Sequence, residues 1–487
     1  MGFGASALAC VPVGVAFNLT ASEGIPWTEG TVSLLISGVV MMLISGLLHR
    51  AGRDHRKAKL SRREAILCVA TIWLGAGLLG SLPFILGAGL HPVDGIFESV
   101  SGLTTTGATI LLDVEALSMP LHLWRSLLQW LGGMGIVVLF VAVFPGVGVG
   151  GKHMFKNETP GATSEGLRPR IAKTASVLWW LYVGFTVLLF VVLLFLEMDT
   201  FDAVCHALTT MATGGFSTRN ASIGAFSPQI QYAIAVFMLL GTVNFGLYFV
   251  ALRQQSLRHF GKSTEFRIFI AAVILATIAL TIANFALHGA DIEIAFRRSF
   301  FMVSTTLSST GYGNHSYAAV GSDYMGYGSF ALAIFIVMMI IGGCSGSTAG
   351  GMKLERVIIA AKQSWIQITR TFRPTVVRRV RMGRTVISAE IVNDVVAFIV
   401  IYFMSVAVGV FVVTAIEGVP VPTAFGAMVT SVSNMGPGPF HDLVTGMSDN
   451  FASYSPWTKL FCAFSMIVGR LEFMTLFALV VPDFWRR

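Results

Sequence analysis

Charge is what this sequence has least of. Asp, Glu, Lys and Arg together make up 12% of its 487 residues, against 54% hydrophobic. A soluble domain carries about 25% charged residues. So little polar surface will not keep a chain this long in water, which argues against a soluble enzyme or cytosolic binding module and makes the bilayer the expected solvent. Cysteine is also scarce. Cys10, Cys68, Cys205, Cys344 and Cys462 form no CxxC and no Cys/His metal spacing, and most lie in apolar runs, so they read as small buried hydrophobes. There is no HExxH, no P-loop and no nucleophile–base pair, so the chain does not read as an enzyme and no covalent cofactor is expected. No Lys or Arg precedes Arg50. The apolar stretch 2–20 therefore lacks the basic start of a signal peptide and reads as a membrane helix.

Long apolar runs are present in number. A membrane helix needs about 20 apolar residues. Runs that meet this lie near 2–20, 30–48, 64–87, 121–144, 175–197, 229–251, 267–287, 325–341 (continuing after a break to 361), 391–415 and 456–481, ten spans in all. The connections 50–63, 152–173, 253–267 and 353–384 and the tail Arg486–Arg487 hold 27 of the 33 Lys and Arg. They follow every second span, so they share one side, and the positive-inside rule makes it cytoplasmic, with both termini there. The net charge of +8 is thus a topology signal that needs no nucleic acid. Acids such as Asp94, Glu98 and Asp202 collect on the other side, where they either concentrate cations at a mouth or simply follow topology.

Four outer connections contain an apolar stretch too short to cross: Asp94–Thr105, Phe201–Ala212, Ile294–Ser309 and Val421–Ser433. Segments of this length read as re-entrant or buried. Each ends in a glycine motif: Thr105-Thr106-Gly107-Ala108-Thr109, Ala212-Thr213-Gly214-Gly215-Phe216, Ser309-Thr310-Gly311-Tyr312-Gly313 and Asn434-Met435-Gly436-Pro437-Gly438. Central glycines are separated by 107, 97 and 125 residues. One such motif is an ordinary turn. Four in register with the spans make a repeat of span, half-helix, glycine loop, span. The fold expected is an all-α polytopic membrane protein. It comprises an N-terminal two-helix hairpin (1–58) and four parallel repeats, 59–150, 151–258, 259–384 and 385–487, around one pseudo-fourfold pore.

A cation crossing a membrane must exchange its hydration shell for other oxygens. A loop that turns successive C=O groups toward one axis supplies them, and glycine permits the positive φ this needs. Such backbone is tolerated at membrane depth only when buried or lining a wet cavity. Rings of carbonyls from four loops are how potassium filters are built.

The residues Ser309-Thr310-Gly311-Tyr312-Gly313 resemble the TVGYG signature of potassium channels. Together with Leu103–Thr109, Thr209–Thr218 and Ser433–Gly438 they make the chain similar, over nearly its whole length, to the Trk/Ktr/HKT superfamily of potassium transporters, in its TrkH-like branch. The resemblance implies filter glycines at Gly107, Gly214, Gly311 and Gly436. It implies potassium ligands at Thr106, Gly107, Thr213, Gly214, Thr310, Gly311, Met435 and Gly436, with Thr105, Ala212, Ser309 and Asn434 completing the filter segments. Glycine at 107, where sodium-permeable relatives carry serine, favours potassium.

In the third repeat the last span is broken by Gly342-Gly343-Cys344-Ser345-Gly346-Ser347-Thr348-Ala349-Gly350-Gly351. Five glycines in ten residues cannot sustain a helix, since each costs about 1 kcal/mol relative to Ala. The resemblance implies an intramembrane gating loop here, followed closely by Lys353. Arg470, about a dozen residues from either end of the last span, is a costly membrane charge. It is expected to face the pore and touch that loop, while Glu472 would point elsewhere on a helix. His206 reads as packed, not as a ligand.

The resemblance further implies potassium uptake in a bacterial inner membrane, a homodimer of pore subunits, and a cytosolic TrkA-type regulatory subunit that carries the nucleotide, ATP/ADP or NAD/NADH. The basic loops, 353–384 above all, are candidate docking surfaces for that subunit or for anionic membrane lipid. Two other readings stand beside it. One is a sodium-permeable cation channel of the same fold. The other is an ion-coupled secondary transporter, which would place broken helices in inverted repeats.

Overall fold

The computed structural model describes residues 29–53, 61–142, 167–288, 291–314, 328–375, 377–383, 385–436 and 450–486. The predicted span at 2–20, parts of the basic connections 50–63 and 152–173, and Pro437 and Gly438 of the fourth motif lie outside the described residues.

Hydropathy and length dictate helices, and the described residues are almost all helical. Among the described residues, five helices are long and apolar enough to cross a membrane, or up to seven if each of two bent pairs counts as one span. In chain order the elements are α1 (Glu29–Ala51), then α2 (Arg62–Gly80) continued by α3 (Leu82–Gly87), the half-helix α4 (Pro92–Leu103) and α5 (Met119–Ala142). Next come α6 (Leu167–Phe195), the half-helix α7 (Thr200–Met211), α8 (Pro228–Thr242) and α9 (Phe245–Gln254). They are followed by α10 (Thr264–His288), the half-helix α11 (Ile292–Leu307), α12 (Gly328–Ile341) and α13 (Leu354–Phe372). The last group is α14 (Ala389–Glu417), the half-helix α15 (Val421–Ser433), α16 (Pro456–Arg470) and α17 (Met474–Val480). A two-residue hairpin, β1 (Arg381–Met382) with β2 (Thr385–Val386), covers a small cluster of Ile359, Val380, Ile387 and Val392.

The half-helices run 12, 12, 16 and 13 residues. At about 1.5 Å per residue none spans a hydrocarbon core of about 30 Å. Their starts are coded locally. Asp199 accepts from Phe201 N at 2.9 Å and Asp291 from Glu293 N at 3.3 Å. Proline occupies the first turn of the other two.

Packing follows one rule around the molecule. The helix that follows each half-helix packs against the next half-helix: α5 on α7, α8 on α11, α12 on α15, and α16 on α4. The last contact returns to the first repeat, so the arrangement closes. α1 packs against α3 and α5 outside this ring.

Two predicted spans are not continuous. The span at 229–251 bends by 86° between α8 and α9, and the span at 456–481 bends by 115° between α16 and α17. At the first break Asn244 caps α9 by accepting from Gly246 N at 2.7 Å. At the second, Glu472 and Phe473 adopt φ of 59° and 51°. Arg470 consequently ends a helix instead of lying in mid-span.

Candidate ion pathway: filter and gate

All four half-helices stop in the same way. A residue with left-handed φ follows the last turn: Thr105 (53°), Thr213 (52°), Ser309 (55°) and Asn434 (52°). The next amide, at Thr106, Gly214, Thr310 and Met435, bonds back to the carbonyl five residues earlier, at 2.9, 2.9, 2.9 and 3.1 Å. Gly107, Gly215 and Gly311 come next, with φ of 78°, 79° and 86°, and Gly436 holds that place in the fourth loop. A left-handed residue on each side of an ordinary one turns successive carbonyls to one side of the strand, which only glycine does without strain at the upper position. This register corrects the sequence reading at one point. The glycine that matches Gly107, Gly311 and Gly436 is Gly215. Gly214 holds the level of Thr106, Thr310 and Met435, and Ala212 caps the helix end below.

The four loops meet. A Cβ on Gly107 would overlap the Gly214 carbonyl oxygen and approach that of Thr310, one on Gly215 would overlap the Thr310 oxygen, and one on Gly311 the Gly436 oxygen. One on Gly436 would lie 2.5 Å from Ala108 N, and Gly436 N–H donates to Thr106 O at 2.5 Å. Contacts thus run from loop one to two, three and four and back to one. Tyr312 turns away from this centre, its hydroxyl 2.6 Å from Thr209 Oγ1. His206 is packed, with its ring nitrogens on Asp202 O and Ser217 Oγ.

Sequence reasoning missed what braces the loops from behind. Glu98, fully buried, pairs with Arg125 at 2.6 Å and accepts from Thr109 Oγ1 and Ile110 N. Arg125 also donates to Ser217 O at 3.1 Å and sits 3.5 Å over the Phe216 ring. One ion pair therefore ties the outer ends of loops one and two. Gln129 adds both halves of its amide, donating to Gly214 O at 2.6 Å and accepting from Phe216 N at 3.2 Å. Asp202 holds Thr218 at 2.6 Å and Arg219 at 2.6 and 3.1 Å, and this bond raises the Arg219 pKa above its ordinary value. Glu98 and Asp202 are thus neutralised struts, not free charges at the mouth. Asp113 is exposed there, and its bond from Asn220 holds its carboxyl below the usual range. The rarity of outer cations was the available signal, since Arg125 and Arg219 each have an acid to meet.

Beneath the four loops, against the half-helix ends, lies the glycine-rich segment 342–353. Gly342 and Gly351 meet so closely at its neck that a Cβ on either would overlap the other strand. Gly343 O accepts from Leu354 N at 2.9 Å. Gly346 O accepts from Phe245 N at 3.1 Å, and Cys344 N donates to Thr242 O at 3.2 Å, so the break between α8 and α9 is made by docking on this segment. Glu265 accepts from Ser345 N at 2.7 Å. At the top, Gly350 N–H donates to Ser309 Oγ, Gly351 N–H to Ser433 O at 2.8 Å, and Thr348 Oγ1 to Met211 O at 3.2 Å. Lys353 donates from Nζ to Ala349 O. Arg470, 3% exposed, donates from Nη1 to Thr348 O at 3.0 Å, and its Nε and Nη2 have no hydrogen-bond partner among the described residues. Glu472 pairs with Arg356 at 2.5 Å, not with Arg470.

The family described as TrkH, cation transport protein, matches residues 32–486. The chain is similar to the Trk system potassium uptake protein TrkH of Escherichia coli (strain K12), 37% identical over 455 residues, 92% of this chain and 91% of that protein. It is 36% identical over 486 residues to TrkH of Halomonas elongata, covering 97% and 95% of the two. It superposes on the crystal structure of the potassium transporter TrkH from Vibrio parahaemolyticus with a TM-score of 0.84 over 100% of both chains at 30% identity.

Proposed function

The chain belongs to the TrkH family of cation transport proteins, a family of transporters and not of enzymes, and from that premise we propose that it takes up potassium across a bacterial inner membrane through a carbonyl-lined filter. The observation that carries this reading is the closed circuit of contacts among the loops at Gly107, Gly215, Gly311 and Gly436. An ion entering from outside sheds water against carbonyls at the levels of Thr106, Gly214, Thr310 and Met435 and of the four glycines above them. The half-helix ends below, at Thr105, Thr213, Ser309 and Asn434, add the negative ends of four dipoles. A membrane potential contributes about 2.3 kcal/mol per charge per 100 mV to inward movement.

The segment 342–353, held by Arg470 and Lys353, is the gate in this reading. Its contacts to Met211, Ser309 and Ser433 support a seated, closed position. A nucleotide-binding regulatory subunit of TrkA type on the cytosolic face moves it, with two pore subunits forming a homodimer and both termini cytoplasmic. The test is tracer flux into vesicles containing the protein. Rubidium and potassium should enter far faster than sodium; equal sodium flux would end the potassium reading.

A further inference from the structure

We propose that the Gly350 and Gly351 amides act as a tethered substitute for the permeating cation at the base of the filter, so that an ion held there and a seated gate exclude one another. The proposal rests on the potassium-filter reading above and adds to it a regulation of the same site by its own substrate.

Two successive N–H groups point at the base of the filter. Gly350 N–H donates to Ser309 Oγ and Gly351 N–H to Ser433 O at 2.8 Å. The Ser309 hydroxyl proton is already committed to Ser308 O at 2.6 Å, so what the gate occupies is the acceptor side of the oxygen, the side a cation would use. An amide hydrogen carries partial positive charge, and half-helix carbonyl ends carry partial negative charge. The gate thereby delivers to these oxygens the sign of charge an ion would deliver. The gate backbone also lies directly against these oxygens, since a Cβ on Gly350 would overlap Ser433 O and lie 3.1 Å from Asn434 O, so an ion bound to them has to displace it. Among the described residues, its hydrogen bonds to the filter base reach repeats two, three and four, through Met211, Ser309 and Ser433. In the first repeat Thr105, 1% exposed, keeps an Oγ1 with no hydrogen-bond partner among the described residues. The amides are therefore an incomplete stand-in, and a cation that satisfies all four repeats competes with them. An empty filter favours the seated gate; a loaded one releases it.

The test uses the full chain in lipid vesicles and the gate's own Cys344, which is 1% exposed when the gate is seated. Its modification by a water-soluble thiol reagent is timed by peptide mass spectrometry, in potassium or in the same concentration of N-methylglucamine, which is too large for the filter. Potassium should speed labelling of the unmodified protein several-fold. S309A removes the contested oxygen. It should raise labelling without potassium about fivefold, the shift for one lost hydrogen bond, and leave little further response to potassium. S309T, which restores the hydroxyl, should recover both behaviours. Flux in the same vesicles separates the outcomes. If potassium is preferred over sodium yet does not change Cys344 labelling, or if S309A responds to potassium like the parent, the competition is refuted and the filter reading stands. If no preference for potassium is found, the filter reading fails and this proposal with it.

Discussion

Gly350→Ala separates the proposed gate from the proposed filter. The φ of Gly350 is not among the positive values, so alanine adopts the backbone there without strain. Its added methyl, however, overlaps the Ser433 carbonyl oxygen and presses on Asn434 O at 3.1 Å and Asn434 Cβ at 3.2 Å. Two of these three atoms are backbone and cannot swing aside as a flexible side chain would. The loop must drop away, and two hydrogen bonds go with it, Gly350 to Ser309 and Gly351 to Ser433. At about 1 kcal/mol each, the seated state loses about 2 kcal/mol, a shift of about 30-fold toward the open state. No filter carbonyl is altered. The assay is rubidium uptake by vesicles containing the chain alone, without any regulatory subunit. Basal uptake should rise by more than tenfold, by the estimate of about 2 kcal/mol, with potassium still preferred over sodium. Basal uptake equal to or below that of the parent, in a variant that elutes as a single well-folded species, would refute the reasoning.

Other consequences concern the filter and its braces. Gly215→Ala, with φ of 79° and a methyl against Thr310 O, should abolish selective uptake, whereas Gly214→Ala meets mainly the Gln129 side chain and should only weaken it; the reverse order, read from rubidium and sodium flux, would restore the register expected from sequence. Glu98→Gln leaves Arg125 buried without its counter-charge, at a cost of about 3–5 kcal/mol. Its thermal unfolding midpoint should fall and its preference for potassium decline, and selectivity unchanged at a lowered midpoint would show that the pair holds the fold but not the filter. Arg470→Ala removes a buried cation from beneath the proposed filter and its bond to Thr348 O; basal rubidium uptake should rise, and a fall in correctly folded protein would count against a barrier role.

The parts legible in the sequence were those set by length and composition. Runs of about 20 apolar residues marked spans, runs of about 12 marked half-helices, and glycine marked the turns between them. Breaks at Val243 and Leu471 were not legible, because neither contains Pro or Gly. The first is made by a distant segment whose Gly346 carbonyl takes the Phe245 amide. The tandem Gly214-Gly215 could not be placed from sequence, since either glycine fits the motif. The bond from Gly214 N to Thr209 O, at 2.9 Å, decides the register. For Glu98 and Asp202 the sequence left open a mouth charge or a mere consequence of topology, because their partners, Arg125 and Arg219, come near only when the half-helices pack. Arg470 was legible as costly, but its contact to Thr348 O depends on how the gate folds.

If the four loops form one filter, their backbone oxygens surround a single ion. Crystals of the protein soaked in rubidium, with anomalous density measured, test it most directly. Density is expected on an axis equidistant from the backbones of Gly107, Gly215, Gly311 and Gly436. Density elsewhere, in a side cavity or against a single loop, would contradict it.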